Sequence, residues 1–184
     1  MTKENQNKDN LLEKINKQLI KFDPVHLSDL TPETQMSRFD SKYFFSSLLI
    51  PCILRTAFKS YHVLEVNNFR VMNYKSYYYD TEDLQMYLNH HNGKRERSKI
   101  RIREYMHTGD KYLEIKNKSN KGFMVKERIP LEGNTRLDIT SKRFIINHSS
   151  YNPDNLKHSH TTHFNRIMLL SLKMKERITL DWNI

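Results

Sequence analysis

Hydrophobic and polar positions alternate with a period of two through much of the second half of the chain. In Lys99-Ile100-Arg101-Ile102-Arg103 the three bases fall on one face and the two isoleucines on the other. In the segment 112–118, Leu113 and Ile115 oppose Glu114, Lys116 and Lys118. Lys126 and Arg128 share a face of the next segment, and near the end Ile178, Leu180 and Trp182 oppose Arg177, Thr179 and Asp181. This pattern predicts strands over 99–105, 111–118, 123–129, 161–170 and 175–182. Ser119-Asn120-Lys121-Gly122 has the composition of a hairpin turn. Residues 61–66 and 70–79, rich in aromatic and β-branched side chains, predict two earlier strands.

Elsewhere the spacing is helical. Leu11, Leu12, Ile15, Leu19 and Ile20 predict a short amphipathic arm that ends before Pro24 and follows a polar, disordered stretch over 1–10. The arm reads as a helix docking on its own domain, with membrane or partner binding as the alternative. Residues 44–58 predict a helix that restarts at Pro51, a residue suited to a first turn. A further helix follows Asp80 or Thr81 as cap, with Leu84, Tyr87, Leu88 and His91 as its apolar stripe and Gly93 as its end. Residues 140–147 predict a short helix. Strands with a few interposed helices give an antiparallel α+β domain. We therefore expect an arm over 1–23 and one domain over 24–184.

Composition narrows the chemistry. A chain of 184 residues suits one domain with a sizeable core. Its net charge of +10 attracts polyanions: nucleic acid, anionic membrane or phosphate-rich molecules. The single cysteine, Cys52, excludes an intrachain disulfide and, within an apolar run, is expected to be a buried structural thiol. No apolar run approaches the roughly 20 residues that span a bilayer, and the start lacks a signal-peptide core, so a cytoplasmic protein is expected. The four glycines are too scattered for a Walker loop or dinucleotide fingerprint, so any phosphate must be held by side chains. His158, His160 and His163 read as surface histidines rather than a metal site, because their strand phase splits them.

Charge concentrates in the alternating segments. Residues 94–126 carry eleven bases and four acids, a surplus of seven within 33 residues. A half-exposed sheet meeting water with its charged face is one reading. The other is a sheet curled into a barrel with its bases inward, an anion tunnel. The second is favoured because two like charges about 4 Å apart repel by roughly 4 kcal/mol at an effective dielectric near 20 unless an anion separates them. A nucleic-acid-binding module is the competing function class, with the many tyrosines available to stack on bases. No nucleic-acid motif is present, and the bases lie in strands rather than on a helix or tail, so no nucleic acid is expected as partner.

Several segments resemble the VTC domain, the polyphosphate-polymerase branch of the CYTH-like triphosphate tunnel metalloenzymes. They are Ser37-Arg38-Phe39-Asp40-Ser41-Lys42-Tyr43, Tyr61 to Val66, Ser76-Tyr77-Tyr78-Tyr79-Asp80-Thr81, Lys99 to Tyr105, Leu113 to Lys118, Val125 to Arg128, Phe164-Asn165-Arg166 and Glu176 to Asp181. Their order across 37–184 carries the resemblance. It implies an antiparallel β-barrel of eight strands, a triphosphate tunnel with flanking helices, that binds polyphosphate or ATP or another nucleoside triphosphate with Mn²⁺ or Mg²⁺. The implied phosphate ligands are Arg38, Lys42, Arg101, Arg103, Lys116, Lys126, Arg128, Arg166 and Arg177, with Arg101, Arg103 and Lys116 in the catalytic role. The implied chemistry is phosphoryl transfer from a triphosphate to a growing chain. A non-catalytic polyphosphate sensor or a triphosphatase is the alternative within the same fold. The family also carries strands bearing E-x-K and S-K-Y after the one equivalent to 175–182. The sequence reaches Ile184 without them, so the expected barrel is incomplete there. The family's late metal-binding glutamate then has no counterpart, which leaves Glu114 and Asp181 as the acids of inward phase able to take a metal.

Overall fold

The computed structural model describes residues 3–29, 40–133, 135–171, 173 and 176–184, with side chains given from residue 9 onward. Four α-helices and eight strands lie among these residues, with the α+β class and antiparallel strands expected from the sequence. They fall into two compact units, one of Met1–Met72 with Asn165–Asn183 and one of Asn73–Phe164.

The first unit opens with α1, Lys3–Leu19, which starts well before the apolar spacing begins. The polar stretch read as disordered is thus helical from residue 3, a result of continuing the turns of a helix that tertiary packing stabilises. Ile15 and Leu19 are buried with Phe22, Ile50, Leu54, Val63, Ile167, Leu169 and Trp182, so the arm does pack into a core. Arg70 closes the C-terminal end of α1. Its Nη1 donates to the Leu19 carbonyl at 2.5 Å and the Phe22 carbonyl at 3.2 Å, while Nε pairs with Glu65 at 2.7 Å. The Leu19 carbonyl, which also accepts from Phe22 N at 3.1 Å, belongs to the last turn, where carbonyls lack intrahelical partners.

A single turn of 3-10 helix, Ser47–Leu49, leads into α2, Ile50–Ala57, with Pro51 in its first turn as expected. Residues 44–46 lie outside the helix. Ile50, Leu54 and Ala57 face the core, which turns Cys52 outward. The expectation of a buried thiol is therefore wrong: position 52 lies off the 50–54–57 stripe, and an apolar run does not say which of its members a helix hides. A short strand, β1 (Pro24–Val25), pairs in parallel with β2 (His62–Leu64), and β2 pairs antiparallel with the end of β7 (Lys157–Ser171). The strand β8 (Glu176–Trp182) pairs with β7 in the register Arg166↔Asp181 and Leu169↔Ile178.

The second unit holds β3 (Met72–Asp80), α3 (Gln85–His91), β4 (Arg97–Tyr105), β5 (Lys111–Lys118), β6 (Met124–Leu131) and α4 (Ile139–His148). Its strands β3, β4, β5 and β6 neighbour one another in that order. The β5–β6 turn is the expected hairpin: Gly122 N donates to the Ser119 carbonyl, and Gly122 takes a φ of +86° that a side chain would resist. One face of these strands is apolar. Ile100 and Ile102 lie opposite Ile115 and Leu113, all four fully buried with Met86, Ile145 and Leu156. Burying each aliphatic side chain contributes about 2 kcal/mol. That holds the strands in register whatever their other face carries.

The helix α3 departs from its expected stripe. Met86 is its buried residue, whereas Leu84, Tyr87 and Leu88 are exposed. Both caps that the sequence offered act, from outside the helix: Thr81 Oγ1 accepts from Gln85 N at 3.0 Å. The Asp80 carboxylate accepts from the backbone N–H groups of Met86 and Tyr87, both at 2.9 Å, and from Thr81 at 2.8 Å. To reach it the chain turns through Leu84 in a left-handed conformation, φ 56°.

Candidate functional site

The opposite face of the second unit is cationic, and strand register decides what meets what. Lys99 lies across from Lys116, and Lys116 across from Lys126, so three lysines stand side by side on β4, β5 and β6. Neighbouring strands are about 4.8 Å apart, so this row repels itself. The next row places Tyr78, Arg101, Glu114 and Arg128 in line, and the row after that Ser76, Arg103 and Tyr112.

One carboxylate anchors this face. Glu114, 1% exposed, accepts through Oε2 from Arg101 Nε at 2.9 Å and Nη2 at 2.6 Å. Lys126 Nζ lies 2.6 Å from Oε1, so both oxygens meet a cation. Burial alone would raise the Glu114 pKa, but Arg101 and Lys126 outweigh it and hold the carboxyl down at about 2. Arg101 also donates to the Tyr78 hydroxyl at 3.1 Å. Arg103 is nearly buried, donates to Ser76 Oγ at 3.3 Å, and lies over the rings of Tyr74 and Phe164. Arg128 lies over the Tyr112 ring at 4.6 Å.

Two of the bases, Lys116 and Arg103, carry their charge under strain. Burial, then Arg101 and Lys126, bring the Lys116 pKa down to about 8. Burial and Arg101 likewise lower Arg103. Among the described residues no carboxylate forms an ion pair with Lys116, Arg103 or Arg128. Such a face favours an anion, since each depressed base regains its proton affinity when negative charge arrives.

Of the residues singled out from the sequence, Arg101, Arg103, Lys116, Lys126 and Arg128 are thus brought onto one face with Glu114. In the first unit, Arg166 makes a two-pronged pair with Asp181, Nε to Oδ1 and Nη2 to Oδ2 both at 2.6 Å. Arg177 on β8 and Lys42, in a stretch without regular structure, are both exposed. Arg38 lies outside the described residues.

The two acids considered for a metal do not fit a resident divalent cation. Both oxygens of Glu114 meet cations, Asp181 is matched to a guanidinium, and among the described residues no three His, Cys, Asp or Glu side chains converge. Two of the three histidines are engaged otherwise, His158 with Thr161 and His160 stacked on Tyr78.

Sequence reading missed the supports of the arginines: Ser76 and Tyr78, which accept from them, and Tyr74, Tyr112 and Phe164, whose rings lie beneath them. The signal for the first two was the two-residue spacing of Tyr74, Ser76 and Tyr78 along β3.

These features define a class: an α+β protein whose antiparallel strands carry an apolar face on one side and, on the other, a cationic face with Arg101, Arg103 and Glu114 buried and Lys99, Lys126 and Arg128 exposed. A model of the VTC domain matches residues 37–184, and the chain belongs to that family. No curated protein matches the chain. Solved structures similar to it include a candidate adenylate cyclase from Vibrio parahaemolyticus (17% identity, TM-score 0.38, covering 61% of this chain and 52% of that one). A second is a candidate adenylate cyclase from Bacillus halodurans (16% identity, TM-score 0.44, covering 61% of this chain and 58% of that one). The chain spans less than two thirds of the length of either. No helix among the described residues is long and apolar enough to cross a membrane.

Proposed function

We propose that the cationic face of β4, β5 and β6 binds triphosphate or polyphosphate. Arg101, Arg103 and Lys116 would stabilise the phosphoryl group as it passes from a nucleoside triphosphate to a polyphosphate chain. The observation that carries the reading is the row Lys99–Lys116–Lys126, three like charges in register beside two arginines and one buried carboxylate. A linear polyanion offers several negative groups at once and neutralises such a row; a single orthophosphate cannot. The arginines present planar forks that match phosphate oxygens, and the rings and hydroxyls behind them fix their direction before a ligand arrives. Membership of the VTC domain family supports the same ligand class. Transfer needs charge stabilisation more than covalent chemistry from the protein, and preset bases provide it.

The test is thermal stability with tripolyphosphate and with orthophosphate at equal ionic strength. A ligand that binds the native state alone raises the melting temperature by mass action, so tripolyphosphate should act strongly and orthophosphate weakly. Equal shifts would mean general screening. Displacement of a bound oligonucleotide by tripolyphosphate separates this reading from nucleic-acid binding, since a nucleic-acid module would release it only at screening salt.

A further inference from the structure

We propose that Glu114 is an internal counter-ion that sets the anion affinity of the cationic face, and is not a metal ligand. The inference rests on the phosphate-binding reading above and adds how that site is tuned.

Glu114 lies at the centre of the face, in register between Arg101 and Arg128. Its oxygens occupy on Arg101 and Lys126 the positions that phosphate oxygens would otherwise take, at 2.6 Å in each case. It is fully buried and sits between Leu113 and Ile115, whose side chains are locked in the apolar core. The carboxylate therefore stays in place whether or not an anion is present. A carboxylate held at about 2 keeps its charge throughout the physiological range, so it subtracts one charge from the face permanently.

Two effects of Glu114 on binding oppose each other. It orients Arg101 and Lys126, which favours binding, and it repels the incoming polyanion, which disfavours it. Orientation has substitutes. Arg101 also has a hydrogen bond to Tyr78 and a place over the Tyr78 ring, neither of which involves Glu114. The repulsion has none, and it grows with the charge of the ligand, so it dominates for tripolyphosphate. In the free protein the balance reverses: without Glu114 the bases face one another with nothing between them. The residue thus trades ligand affinity for stability of the empty fold.

The experiment is calorimetric titration of the full chain and Glu114→Gln with tripolyphosphate, together with their melting temperatures without ligand and a separate titration with Mg²⁺ alone. We expect the variant to melt lower when empty, to bind tripolyphosphate about tenfold more tightly, and to take up Mg²⁺ as the unsubstituted chain does. Weaker tripolyphosphate binding by Glu114→Gln, or loss of a Mg²⁺ site that the unsubstituted chain has, overturns the inference. Failure of the unsubstituted chain to bind tripolyphosphate would instead overturn the phosphate-binding reading. If Glu114→Gln does not fold, the double variant Arg101→Met/Glu114→Met decides: it removes both charges, and its recovery of a cooperative melt supports the counter-ion role. A double variant that is equally unfolded overturns it.

Discussion

Lys116 stands directly across the β5–β6 ladder from Lys126, with Lys99 in register on its other side. Like charges so placed are a liability that the buried aliphatic layer behind them compensates. Burial first, then Arg101 and Lys126, bring the Lys116 pKa to about 8 against an ordinary 10.5. The folded state thus binds its proton more weakly than the unfolded chain does. Between about pH 8 and 10.5 the unfolded state holds more protons, so this group makes stability rise with pH across that window. Urea unfolding of the ligand-free protein at pH 7.5 and 9.5, compared with Lys116→Met, should show the rise diminished in the variant and the variant more stable at the lower pH. An unchanged pH slope would mean that the Lys116 pKa is not depressed in the folded state.

The two central arginines should separate sharply. Arg101→Ala leaves the buried Glu114 with Lys126 alone and should destabilise the empty protein by about 3 kcal/mol. Arg103→Ala removes a base that is depressed by burial and by Arg101, and loses only one hydroxyl bond and its ring contacts. It should cost less than about 1 kcal/mol, or even stabilise. Both should weaken tripolyphosphate binding. Denaturant midpoints decide, and equal losses would show that register, not the Glu114 pair, governs the effect.

The Asp80 cap and the left-handed Leu84 form a linked pair of predictions. Asp80→Ala removes acceptors for three backbone N–H groups and should cost about 1–2 kcal/mol. Leu84→Gly relieves a conformation that costs a side-chain-bearing residue about 1 kcal/mol, at a half-exposed position with little packing to lose, and should be neutral or stabilising. Leu84→Ala keeps the strain and should not stabilise. Urea unfolding of the three variants provides the check.

Cys52 faces outward beside Arg55, whose guanidinium lies 3.5 Å from its sulfur. A thiol reagent should label it fully in native buffer at a rate close to that of a short peptide. Labelling that waits for denaturant would show a buried thiol instead.

What the sequence determined alone was the two-faced character of β4, β5, β6 and β8, together with the hairpin at 119–122 and the cap at Asp80. Alternation and turn chemistry are local: side chains at i and i+2 share a face whatever the strand meets, and Gly122 permits a positive φ by its own structure. Other features depended on what packs where. That Met86 rather than Leu84 or Tyr87 is buried, and that Cys52 points outward, follows from which side of a short helix meets the core. The roles of Glu114 and of the three-lysine row are long-range in the same way. The phase of Glu114 shows in the sequence, but only placing residue 114 in register between 101 on one side and 128 on the other brings it to Arg101 and Lys126. Register between strands joins residues far apart in the chain, and it is set by the buried aliphatic layer rather than by the charges themselves.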